Sequence, residues 1–292
     1  MDIGQILVRL TSIRLSFLLF SFCCLILSVY VSNLRWRQCI DLYSDIEVHG
    51  SVSRRLVFRG FVLAQLLPLS ALGDVYRVVK LTEAGNRALP VTMTVIMEKV
   101  WALIGLLSIC MLGLGLTLFS PLIVSGGVLL LTIVFWWVCR ARLPLKLLAP
   151  GTLAELYRKH FGELRLSYSK FFEPRSNLRI YAISLIGQLG LVAAYIALLE
   201  GKSELQMSQL LAMGSLIVLA SVIPLTAGGW GLRELASVAL PSFIGLTIDN
   251  FVTASIAFGL VNLCLALAVG TAWIATSVQR QLCVYLQVSK DG

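Results

Sequence analysis

Five stretches of this 292-residue chain hold no aspartate, glutamate, lysine or arginine: 15–34, 100–139, 180–199, 205–232 and 250–279. A helix needs about 20 apolar residues to cross the hydrocarbon of a bilayer, where its own ladder must satisfy every backbone polar group. Each run meets that length, and 100–139 is long enough for two crossings with Ser120-Pro121 as the turn between them. Composition agrees, with 58% hydrophobic and 13% charged residues, against about half and a quarter in a soluble domain. The chain therefore reads as an all-α polytopic membrane protein, a helical bundle forming a single integral membrane domain over 1–292. We expect full spans near 15–34, 92–119, 121–139, 178–199 and 251–276, and two interrupted segments near 57–81 and 206–247. The first run is too long for the apolar core of a secretory signal, and no small-residue cleavage site precedes Arg35, so it is read as a retained helix.

The interrupted segments carry one pattern twice. Pro68-Leu69-Ser70-Ala71-Leu72-Gly73-Asp74-Val75-Tyr76-Arg77 aligns without a gap on Pro224-Leu225-Thr226-Ala227-Gly228-Gly229-Trp230-Gly231-Leu232-Arg233, sharing P-L-[S/T]-A-x-G-x-x-x-R. Proline removes a ladder hydrogen bond and clustered glycine ends a helix. Broken helices in corresponding halves of a membrane protein point to a transporter-type site near the bilayer midplane. The segments are thus expected to be re-entrant hairpins broken at Pro68 and Pro224. They sit in internal, inverted repeats over about 15–119 and 178–276.

Charge fixes the expected sidedness. Lysine and arginine collect between Arg35 and Arg59, Arg77 and Arg87, and Arg140 and Arg179, whereas the turn at Ser120-Pro121 has none. Short cytoplasmic loops hold the Lys/Arg excess, so the first hairpin opens to the cytoplasm and the second to the outside. The C-terminal tail, 277–292, is then cytoplasmic. Arg9 and Arg14 lie outside, against that rule; if 57–81 instead crosses fully, the N-terminus is inside and the repeats are parallel. The net charge of +9 reads as a basic rim facing anionic headgroups. No nucleic acid is expected as a partner, because no groove-reading or base-stacking module is present. Between 140 and 177, apolar residues from Leu153 to Phe172 fall at helical spacing, and Thr152-x-x-Glu155 forms a capping box. That stretch is read as an amphipathic interfacial helix or a plain connector. The seven cysteines are scattered without a C-x-x-C, and there are two histidines, His49 and His160. Neither a metal nor another cofactor is implied.

Ionisable side chains at membrane depth cost roughly 2.5–3.5 kcal/mol or more and persist where they face a cavity or a partner. Asp74, Arg77, Arg233 and Glu234 lie at the breaks, and Glu98 precedes Lys99 at the start of the 92–119 span. Two readings follow. In one, Asp74 pairs with Arg77 three residues on, while Arg233 and Glu234 lie where water reaches them. In the other, Arg77 and Arg233 grip a lipid phosphate, assisted by helix N-termini that begin near Gly73 and Gly231 and point at the breaks. Gly228 and Gly229 then allow close backbone approach, and Asp74, Glu98 and Glu234 set the charge balance. Glu98 is read chiefly as a partner for an arginine, and Asn262 in the last span as a helix–helix hydrogen-bonding group.

Gly73-Asp74 with Arg77, Glu98-Lys99, and the run Pro224 to Glu234 together resemble the lysylphosphatidylglycerol synthase transmembrane-region family, and Arg35-Trp36 fits the same pattern. The resemblance covers roughly 35–280. It implies a polytopic protein that moves or binds phospholipids or lipid-linked intermediates, and the expectation is the translocase-like half of the family rather than the aminoacyl-transfer reaction of the bifunctional synthases. Lys99 stands where an arginine is expected, and Asn262 where many members carry arginine.

The function expected on this basis is non-enzymatic: an inner-membrane, flippase-like protein that translocates an anionic phospholipid or a polyprenyl-phosphate-linked lipid. The alternatives are a membrane-embedded transferase, or an accessory subunit for enzymes of lipid-linked glycan or aminoacyl-lipid biosynthesis.

Overall fold

The computed structural model describes residues 3–118, 174–199, 205–222, 226–243 and 248–288. The expected span 121–139, most of the amphipathic stretch 140–177 and Pro224 lie outside these residues. The described residues are helical and contain no strand. A short α1, Ile3–Ser12, leads into α2, Leu15–Tyr43. A broken pair follows, α3 at Gly50–Leu66 and α4 at Leu72–Glu83, then α5 at Ala88–Leu118. The second half starts with α6, Pro174–Ala197, and a second broken pair, α7 at Met207–Val222 and α8 at Leu232–Phe243. It ends on α9, Ile248–Val288.

Among the described residues, four helices are long and apolar enough to cross a bilayer: Leu15–Tyr43, Ala88–Thr117, Ser176–Ala197 and Ile248–Ser277. At a rise of about 1.5 Å per residue, the 12 residues of α4 and of α8 reach only about 18 Å, short of the roughly 30 Å hydrocarbon. Two sequence boundaries need correction. The first span was expected to end near 34, with Arg35 opening a basic loop, yet α2 continues to Tyr43 and buries Arg35. No proline or glycine interrupts 35–43, and a buried carboxylate meets the charge. Similarly, the tail expected from 277 is helical through Val288.

The first break has a local cause. The residue before a proline is biased away from the α region, and Leu67, before Pro68, is extended at φ −92° and ψ 154°. The chain then turns on itself, with the amides of Leu72, Gly73 and Asp74 donating to the carbonyls of Leu69, Ser70 and Ala71 at 3.1, 3.3 and 3.0 Å. α3 and α4 fold together over Gly60 and Gly73, where a methyl on Gly73 would collide with the Gly60 carbonyl. At the second break, a single 3-10 turn spans Ala227–Gly229, and Gly228, Gly229 and Gly231 take φ of 55°, 79° and 90°. That is the left-handed region, which a Cβ disfavours.

Packing fixes direction. α2 lies antiparallel to α6, since the Tyr43 hydroxyl donates to Asn177 at 2.9 Å while Ser28 donates to the Gly187 carbonyl at 3.0 Å. α3 runs against α9, with Val62 beside Gly270 and Arg59 over the Trp273 ring. Arg9 of α1 reaches the start of α9, bonding Asn250 at 2.5 Å and Asp249 at 3.3 Å. α2 and α9 therefore begin at the same end of the bundle. The main core joins α5, α6, α7 and α9 around Leu106, Tyr195, Leu198, Ile217 and Phe251. Leu19, Phe20, Ile186, Leu189, Leu267 and Ile274 face outward, the apolar surface a bilayer covers.

Candidate functional site

Glu98 of α5 is wholly buried, and two other helices converge on it. From α2, Arg35 donates through Nη2 to Oε1 at 2.8 Å and Ser32 donates to the same oxygen at 2.7 Å. From α4, Arg77 donates through both Nη1 and Nη2 to Oε2 at 3.0 Å. Arg77 also pairs with Asp74, one turn earlier on its own helix, and Lys99 Nζ lies 3.3 Å from the same Asp74 oxygen. Trp36 completes the chamber. Its ring lies under the Arg77 guanidinium at 4.8 Å, and its indole N–H donates to Thr94 at 3.2 Å. A cation over an indole face in a desolvated setting is stabilised by about 2 kcal/mol.

The second cluster lies at the start of α8. Arg233, 1% exposed, donates to Glu234 Oε1 through Nη2 at 2.8 Å and to Ser255 Oγ of α9 through Nε at 3.0 Å. Ser255 in turn donates to Glu234 at 2.9 Å. The guanidinium sits between the Trp230 and Phe258 rings, 5.3 and 5.1 Å from their centroids. Gly259 leaves it room, since a methyl there would lie 2.5 Å from Arg233 Nη2 and 2.5 Å from the Trp230 ring. Glu234 folds back so that its Oε2 accepts the Gly231 amide at 2.6 Å, as the third helical residue of a capping box does. The two breaks touch: a methyl on Gly228 would run into the side-chain oxygen of Gln65, the penultimate residue of α3.

In the second half the run Gly228 to Glu234 supplies the left-handed turn, the buried arginine and the capping glutamate. The sequence model of the lysylphosphatidylglycerol synthase transmembrane region matches residues 1–270. The chain belongs to that family. A comparison with curated proteins gave no match. Membership makes the chain a membrane protein of a lipid-related family, and the two clusters lie within the matched range.

Several expectations change. Arg77 and Arg233 are neither loop charges nor water-exposed; each is buried against a carboxylate. The simple pairing of Asp74 with Arg77 is present, but as one side of a larger network in which Glu98 also holds Arg35. The first-half helix N-terminus does not offer the amides of Leu72, Gly73 or Asp74 to a ligand, because the turn has taken them. In the second half, Glu234 holds the Gly231 amide. Asn262 donates to the Phe258 carbonyl of its own helix at 2.9 Å rather than to another helix.

Sequence reasoning missed Arg35, Ser32, Ser255 and Gly259 as members of these clusters. Arg35 had a signal in the Arg-Trp pair. The two serines had none, since serine is ordinary in membrane helices. Among the described residues, no group of three His, Cys, Asp or Glu side chains is placed to hold a metal ion.

Proposed function

We propose that the protein binds an anionic phospholipid or polyprenyl-phosphate lipid and carries it between leaflets without altering it. The observation behind this reading is the Glu98 knot. A carboxylate excluded from solvent pairs with two guanidiniums that arrive from two other helices, one of them from a broken hairpin. Charges at such depth are costly and mark pathways in membrane proteins. A phosphate offers the same bidentate geometry as a carboxylate. Headgroup entry is then an exchange of partners, with Arg77 leaving Asp74 and Arg233 leaving Glu234 to hold phosphate. Rocking of one half against the other, as inverted repeats, opens the site to each side in turn. The membrane is the cell inner membrane, with the C-terminus cytoplasmic.

The test is reconstitution into liposomes with labelled phosphatidylglycerol in one leaflet. Wild-type protein is expected to move label to the other leaflet. Arg77→Gln and Arg233→Gln should each weaken headgroup binding roughly ten- to a hundred-fold, by losing a charged hydrogen bond of about 1.5–3 kcal/mol. The doubles Asp74→Asn/Arg77→Gln and Glu234→Gln/Arg233→Gln should stay inactive. Recovery in the doubles would make these pairs purely structural. A lipid of changed mass would point to a transferase, and neither movement nor change to an accessory role.

A further inference from the structure

The side chains of the first cluster do not balance. Arg35, Arg77 and Lys99 supply three positive charges, and Asp74 and Glu98 two negative ones, so one cation is in excess. Four of the five are buried or mostly covered, but the Lys99 side chain is 52% exposed. It opens on a lateral groove of about 500 Å³ between α4 and α5, walled by Val75, Ile96 and Leu103 and reaching Val222, the last residue of α7 before the second break. Along α5 the groove extends from Thr92 to Leu103, about 16 Å by helix rise. Among the described residues, Asp74 and Lys99 are the only charged side chains that line it. The volume falls in the roughly 300–1,000 Å³ range of ligand sites.

We infer that this groove holds one anionic phospholipid, its acyl chain along α5 and its phosphate on Lys99, as a docking position next to the Glu98 cluster. The inference rests on the lipid-binding reading above and adds to it the entrance and the residue that selects charge. Charge complementarity carries it: a phosphodiester monoanion brings the cluster from an excess of one cation to neutrality, and an ammonium with one neighbouring carboxylate oxygen retains donors for it. A zwitterionic lipid gives no such balance.

A photo-crosslinking residue placed at Leu103 in the groove, and separately at Leu189 on the outward face of α6, tests this. The protein is held in nanodiscs of equal phosphatidylglycerol and phosphatidylcholine, and the attached lipid is identified by mass. At Leu103 we expect phosphatidylglycerol to exceed phosphatidylcholine roughly ten-fold, since both phosphates accept from Lys99 but only phosphatidylglycerol brings a net negative charge to the excess cation, and at Leu189 to follow the bulk mixture. Lys99→Gln should abolish the preference at Leu103 and Lys99→Arg should keep it. Val75→Trp, which fills the groove, should remove lipid attachment at Leu103 in protein that still elutes as wild type. Equal lipid ratios at both positions, or a preference unchanged in Lys99→Gln, would overturn the inference. Selective attachment without leaflet transfer leaves the groove standing and removes the transport reading. Transfer without selectivity does the reverse.

Discussion

Glu98 lies 63 residues from Arg35 and 21 from Arg77, and its burial makes both cations depend on it. Removing one member of a buried ion pair strands the other, at a cost of about 3–5 kcal/mol. Glu98→Gln should therefore lower the thermal unfolding temperature in detergent more than Asp74→Asn, whose carboxylate is 30% exposed. Equal shifts for the two would mean that the buried carboxylate is not the structural centre of the cluster. The glycines of the second break make a similar contrast. Gly231 and Gly229 both have left-handed φ, but a methyl on Gly231 meets nothing within 4 Å, whereas one on Gly229 lies 2.9 Å from the Ser221 Cα. Gly231→Ala should cost about 1–2 kcal/mol in backbone strain alone. Gly229→Ala should cost clearly more, because backbone cannot move aside as a side chain does, and unfolding temperatures of the two variants separate the cases. Much of this was legible: the i, i+3 spacing of Asp74 and Arg77 and the glycine cluster are written in the sequence. That Glu98 is the shared partner was not, since a charge count does not distinguish a lysine or arginine at a loop from one buried inside a helix end, and Arg35 was assigned to the loop for that reason.

Between elements, small residues set how closely helices approach. Gly105 of α5 faces the Ser184 and Leu185 backbone of α6, and Gly113 faces Ala212 of α7, where a methyl would lie 2.8 Å from the Ala212 Cα. Contact of this kind drives association within lipid, where apolar side chains gain little from meeting one another. Gly113→Val should push α5 from α7 and destabilise by about 1–3 kcal/mol, read as a lower unfolding temperature. An unchanged value would mean that α7 is free to shift along α5. The hairpins were visible to sequence reasoning through Pro68 and the glycine run. The start of the first at Gly50, rather than near 57, was not, because Arg54 and Arg55 make the first two turns of α3 look like loop.

At the scale of the whole molecule, α1, the start of α2 and the start of α9 share one end of the bundle through Arg9, Asp249 and Asn250. Both partners of that ion pair are over a third exposed, so Arg9→Ala should cost under about 1 kcal/mol. The basic α3–α4 side is expected to be cytoplasmic. In a cysteine-free background, Thr11→Cys should be labelled by an impermeant thiol reagent from outside and Glu83→Cys should not; the reverse pattern inverts the map. The left-handed glycines of the second break bear on how this map arises during synthesis. Residues 207–243 are apolar and long enough to cross a bilayer as one helix, and only the break returns the chain to the side it entered. Straightening that segment would add one crossing, change the parity of the path, and deliver α9 and everything after it to the opposite face of the membrane.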